Sequence, residues 1–129
     1  MKNSKTPMLG KWYQTVWNDN NSAAIDQLMN AEVVIVDLFP PAVYFGTDHL
    51  KSVAKMLREK FSEIKFTVKE GQEYKDAEIA ECTLEANFKG KRIKVDFTSM
   101  IRMKNGKITM ISNDADILLL EKAGELIPV

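Results

Sequence analysis

Little in this sequence points to metal, redox or nucleic-acid chemistry. It holds one cysteine, Cys82, and one histidine, His49. A single cysteine excludes an intrachain disulfide and a cysteine-rich zinc site, and its place on an apolar strand face reads as packing. No second ligand is spaced to join His49, which reads as a solvent-facing residue of a helix, so no metal is expected. Charge of one sign is lacking as well. Eighteen lysines and arginines balance eighteen aspartates and glutamates, so no long-range field favours nucleic acid, an anionic membrane or a strongly acidic partner. Lys89-Gly90-Lys91-Arg92 is a hairpin tip too short to argue for nucleic acid. There is no apolar run of roughly eighteen residues, and the first nine residues have no apolar stretch followed by a small-residue cleavage site, so neither a membrane span nor export is expected and a cytoplasmic location follows. Walker, Rossmann and Ser-His-Asp patterns are missing too, and no cofactor is implied.

What is present suits one globular domain over residues 1–129. Of the residues, 45% are apolar, enough for a chain of this size to bury a core without disulfide or metal support. Leu9, Trp12, Tyr13, Val16 and Trp17 follow the three-and-four spacing of a helix over residues 7–17. Asn18-Asp19-Asn20-Asn21 breaks it. Ser22 is placed to cap a second helix whose apolar side is Ala24, Ile25, Leu28 and Met29. Residues 32–39 are rich in β-branched side chains and run into Pro40-Pro41, which predicts a strand that stops there. Thr47 and Asp48 open a third helix, with Leu50, Val53, Ala54, Leu57 and Phe61 as its stripe. Beyond Ser62 the period becomes two, in four runs near 65–74, 78–89, 91–104 and 107–116, joined by short polar turns. The predicted order is ααβαββββ, an α+β fold in which the three helices cover one face of a curved antiparallel sheet. A last helical turn is expected over 118–123.

Two polar residues stand out. In the third long strand Ile93, Val95, Phe97, Ile101 and Met103 share a face with Ser99; a hydroxyl in that row needs a partner, since burying it unpaired costs about 1 to 3 kcal/mol. Either a core backbone group or a ligand supplies one. Asp37 lies in the run Val33-Val34-Ile35-Val36-Asp37-Leu38-Phe39, apolar on both faces. A carboxylate there is paired, hydrogen-bonded or held with a raised pKa, as a general base would be, or it caps the strand's exit with water nearby. Trp12, Trp17, Tyr44 and Phe97 could stack on a flat ligand, although aromatics at such spacing mostly serve the core.

The order of elements, Tyr13 and Trp17 in the first helix, Asp37 near the end of the first strand, Phe45-Gly46 before the third helix and Gly106-Lys107-Ile108 opening the last strand together resemble the NTF2-like superfamily. The resemblance implies a cone-shaped fold around a pocket for a small apolar molecule and, commonly, a homodimer. Residues 13–46 resemble the ketosteroid isomerase branch, which implies Asp37 as base, Tyr13 as donor to an enolate oxygen and Ser99 at the place of the second oxyanion donor, an aspartate in that branch. The C-terminal half is similar to the SnoaL-like branch, whose catalytic aspartate falls on Asp116. Along that strand Ile111, Asn113 and Ala115 share one face, and Ser112, Asp114 and Asp116 the other; apolar Ile111 and Ala115 favour Asn113 pointing inward.

These observations lead to a small-molecule-binding protein, an isomerase or cyclase without a cofactor that moves a proton next to a carbonyl on a steroid- or polyketide-like substrate. Asp37, Tyr13 and Asp116 are the expected catalytic residues, and Trp17, Ser99, Asn113 and Phe97 the expected ligand contacts. The alternative is a non-catalytic binding or oligomerisation module of the same fold.

Overall fold

The computed structural model describes residues 6–38 and 41–114, with side chains for 6–36 and 42–114. The expected turn over 118–123 and Asp116 lie outside these residues. The elements are α1 (Pro7–Trp12), a π-helical segment (Tyr13–Asn18), α2 (Ala24–Leu28), β1 (Met29–Leu38), β2 (Pro41–Phe45), α3 (Asp48–Lys60), β3 (Ser62–Tyr74), β4 (Ala77–Phe88), β5 (Lys91–Lys104) and β6 (Lys107–Asn113). The strands form one sheet in the order β2-β1-β6-β5-β4-β3.

The α+β architecture is the one the periodicity predicts, with local differences. The helix from Pro7 keeps its direction but widens at Tyr13, where Asp19 N–H reaches the Gln14 carbonyl at 2.8 Å, five residues back. Ser22 makes no side-chain cap, and Met29, expected on α2, opens β1. β2 is an additional strand. It pairs antiparallel with β1 at the sheet edge, Leu38 opposite Pro41, and proline is tolerated at the first position of an edge strand because its missing N–H breaks no ladder. One pairing is also parallel: β1 runs alongside β6, so the curved sheet is mixed.

Alternation decides which face is covered. Along β4, Glu78, Ala80, Cys82, Ala86 and Phe88 are buried, and along β5, Ile93, Phe97, Ser99 and Ile101, the period-two pattern of a half-covered sheet. Leu9, Trp12, Val16, Ala24, Ile25 and Leu28 from the N-terminal helices and Leu50, Ala54 and Leu57 from α3 belong to the same core. Phe61, just past α3, packs on Phe88 at 4.9 Å between ring centres. In β3 a bulge at Gly71 lets the N-terminal chain approach; a Cβ there would lie 2.5 Å from the Ile79 carbonyl oxygen and 2.8 Å from Thr6 Cγ2.

Glu78 ties the first helix to the sheet. Its side chain is 1% exposed, and its two carboxylate oxygens accept from the N–H groups of Met8 at 3.0 Å and Leu9 at 2.8 Å. Those donors belong to the first turn of α1, where no intrahelical acceptor exists and a negative charge is favoured. Thr6, the residue at the N-cap position, makes no side-chain cap, so a strand residue does that work. Glu78→Ala is expected to lower unfolding free energy by about 2 kcal/mol or more, because buried donors lose their acceptor. Glu78→Gln, which keeps one acceptor oxygen, should recover part of the loss in the same urea titration.

Candidate functional site

The site grows from one register row of the sheet. Ala42 of β2 lies opposite Asp37 of β1, Asp37 beside Asn113 of β6, Asn113 opposite Ser99 of β5, and Ser99 opposite Ala80 of β4. Three polar residues thus occupy adjacent strands, about 4.8 Å apart from one strand to the next. The rows to either side are apolar: Ile35, Ile111 and Ile101 on one side, Phe97 and Cys82 on the other. Val33 and Ile35 are buried.

Tyr13 reaches this row from the π-helical segment. Its hydroxyl is 2.9 Å from Ser99 Oγ and donates to Asn113 Oδ1 at 3.3 Å. A phenol has one proton, so with Asn113 as its acceptor the Ser99 hydroxyl donates to Tyr13. Ser99 is 0% exposed and Tyr13 3%. The need for a partner at Ser99 is therefore met by a side chain of the protein, where the sequence left a backbone group or a ligand. Around the phenol, Phe66 stacks at 4.9 Å and Phe97 lies edge-on at 6.0 Å. Trp17, one wide turn beyond Tyr13, packs on Phe66 at 5.6 Å and edge-on against Trp12 at 6.2 Å.

Burial sets the electrostatics. Desolvation pushes the Tyr13 hydroxyl far above the ordinary phenol value, with a further rise from the neighbouring Cys82, while the bonds to Ser99 and Asn113 pull the other way. Tyr13 is thus a neutral hydrogen-bonding group at every physiological pH, able to donate toward developing negative charge and unable to act as a base. Burial likewise pushes the Cys82 thiol up to about 12, which leaves it a packing residue rather than a nucleophile.

The expected ligand contacts Ser99, Asn113, Phe97 and Trp17 all lie around Tyr13. Asp37 belongs to the same row by backbone register, and Asp116 is outside the described residues. Asp114 is held elsewhere, accepting from the Thr98 N–H at 2.7 Å. His49, expected to face solvent, is half-buried and stacks on Tyr44 at 3.5 Å. Among the described residues no cluster of three or more histidine, cysteine, aspartate or glutamate side chains is placed to hold a metal, and no helix is long and apolar enough to cross a membrane. Two residues that support the site escaped sequence reasoning. Glu78 could have been found, because the alternation that buries Ala80, Cys82 and Ala86 also places this carboxylate inside. Asn18, taken as a helix breaker, bonds both backbone groups of Phe66, donating to its carbonyl at 2.9 Å and accepting from its N–H at 2.7 Å.

The Tyr13 shift has a measurable consequence. A phenol whose native pKa is raised stabilises the fold fully below the unfolded-state value near 10, and that stability is lost as pH climbs from there toward the native value. Wild type should lose about 1.4 kcal/mol per pH unit more than Tyr13→Phe above pH 10, measured by denaturant titration at several alkaline pH values; equal slopes would show that Tyr13 ionises normally.

Comparisons with known proteins agree with this architecture. The family model of SnoaL-like polyketide cyclases matches residues 8–122. A hypothetical protein with a ketosteroid isomerase-like fold from Catenulispora acidiphila, solved in complex with trimethylamine, superposes with a TM-score of 0.78 at 17% identity, covering 96% of this chain and 99% of its own. An NTF2-like protein from Burkholderia thailandensis gives 0.75 at 17% identity over 96% and 98% of the two chains. TerC, co-crystallised with polyporic acid, gives 0.74 at 17% identity over 93% and 99%. No curated protein matches the sequence.

Proposed function

This chain belongs to the SnoaL-like polyketide cyclase family, and from that premise we propose that it binds a small, largely apolar carbonyl compound and moves a proton at the carbon next to the carbonyl, without a cofactor. The observation that carries the reading is the Tyr13 hydroxyl held by Ser99 and Asn113, one strand away from the position of Asp37. In the proposed step the Asp37 carboxylate takes the proton from the α-carbon, and the electron pair of that C–H bond moves toward the carbonyl oxygen. Tyr13 donates its hydrogen bond to the oxygen as charge develops, which is worth most in a site without water. Asp37 then returns the proton to a different carbon in an isomerisation; in a ring closure the new nucleophilic carbon attacks a second carbonyl, whose C=O electron pair becomes an alkoxide that takes the proton back from Asp37. Ser99 donates to the phenol oxygen throughout, which strengthens Tyr13 as a donor. The compounds bound to two structural neighbours, trimethylamine and polyporic acid, support a small molecule as the ligand. A homodimer and a role for Asp116 belong to the same proposal.

A second reading has its own support. Because the Tyr13 hydroxyl already has protein partners, a ligand must displace Asn113 to receive its proton, and a binding module has no need of that exchange. The two readings separate on exchange of α-protons of 2-tetralone in D2O, followed by NMR. The catalytic reading expects wild type to accelerate exchange and Asp37→Asn to remove at least about a hundredfold of that acceleration, with a loss of similar size in Tyr13→Phe. Exchange at equal rates in wild type and Asp37→Asn would leave only the binding module.

A further inference from the structure

The indole N–H of Trp17 is the one buried side-chain polar group among the described residues with no hydrogen-bond partner. Trp17 is 5% exposed, and its nitrogen is shut off from water. Leaving such a donor unmade costs about 1 to 3 kcal/mol, and in folded proteins an exception of this kind calls for a cause. The backbone around it gives the ring little freedom to find a partner. The Trp17 carbonyl accepts from the Arg58 guanidinium, and Asn18, the next residue, is clamped to both backbone groups of Phe66. Trp12 and Phe66 pack against the ring itself.

The contrast with Tyr13 decides what the donor can do. The two residues lie on the same wide helical turn and pack on the same ring, Phe66. Tyr13 spends its hydroxyl on Ser99 and Asn113, so a ligand bonding there must break a bond within the protein. Trp17 has no such bond to lose. Its ring packs against the aromatic side chains of Trp12 and Phe66, which can shift without breaking a backbone ladder.

We propose that the Trp17 indole N–H is a ligand-binding donor, satisfied when an oxygen acceptor carried on an apolar, flat ligand enters beside Phe66. This rests on the reading that the helix-covered face of the sheet receives a small molecule, and it assigns Trp17 a polar role distinct from stacking. The ligand gains a bond that the empty protein cannot make, so an acceptor near Trp17 is selected over an apolar isostere. Such a preference arises because a buried donor penalises the partner that leaves it unpaired.

The test uses 2-acetylnaphthalene and 2-isopropenylnaphthalene, which have the same shape and differ in whether a carbonyl oxygen is present. With only two tryptophans in the chain, the indole N–H signals in a 1H–15N spectrum are assigned by comparison with Trp17→Phe. The ketone is expected to move the Trp17 signal downfield in wild type while the hydrocarbon does not. Trp17→Phe should weaken ketone binding about tenfold, the change that one ordinary hydrogen bond supports, and leave hydrocarbon binding unchanged. The wild-type spectrum stands by itself if Trp17→Phe does not fold. Ketone binding with the Trp17 signal unmoved, or equal weakening of both compounds, overturns the proposal and shows an indole that serves packing alone. Ketone binding that engages Trp17 and is indifferent to Tyr13→Phe would sink the assignment of Tyr13 and keep that of Trp17. Absence of ketone binding to wild type overturns both.

Discussion

The bond between a helix hydroxyl and a sheet hydroxyl, Tyr13 to Ser99, is the constraint on which the site depends. Ser99 lies in an apolar strand row and would be left unsatisfied without Tyr13, whose hydroxyl also donates to Asn113. Together they fix how the N-terminal helix lies on the sheet. Two further ties hold the same helix: Glu78 binds its first turn and Asn18 fastens its end to Phe66. A helix pinned at its start, its middle and its end holds Tyr13 and Trp17 in a set place, and the switch to π-helical geometry at Tyr13 widens the turn that carries both.

Most of the architecture was legible because hydrophobic period is a strong signal. The change to period two after Ser62 marks the four long strands, and the alternation in β5 correctly places Ser99 among buried neighbours. The second edge strand was not legible, since five residues beginning at Pro41 carry no period of their own and form a strand only through pairing with β1. Nor was the parallel pairing of β1 with β6, which is a property of topology and joins segments distant in the sequence. The widened turn of the first helix has the same cause, because spacing alone does not separate a π-helical turn from an α-helical one over six residues.

The site was legible to a similar degree. Tyr13 and Ser99 came from different arguments, a family resemblance and an unpaired hydroxyl, and the structure joins them in one bond. Asn113 was placed inward by the company of Ile111, and its amide completes the set. The alternation of β4 places Glu78 inside, but its role as a cap has no sequence signal, because it arises only when the covering helix presents bare N–H groups to it. The unpaired state of Trp17 has no trace in the sequence, since it follows from what the surrounding atoms fail to offer.

The most direct measurement is a double-mutant cycle on unfolding free energy with Tyr13→Phe, Ser99→Ala and the pair together. If the phenol and the serine are partners, Tyr13→Phe strands the buried Ser99 hydroxyl while Ser99→Ala removes the donor to the phenol, and the double change costs less than the sum of the two by about 1 kcal/mol or more. Additive losses, equal within about 0.3 kcal/mol, would contradict the account, because the helix and the sheet would then not be joined at this point.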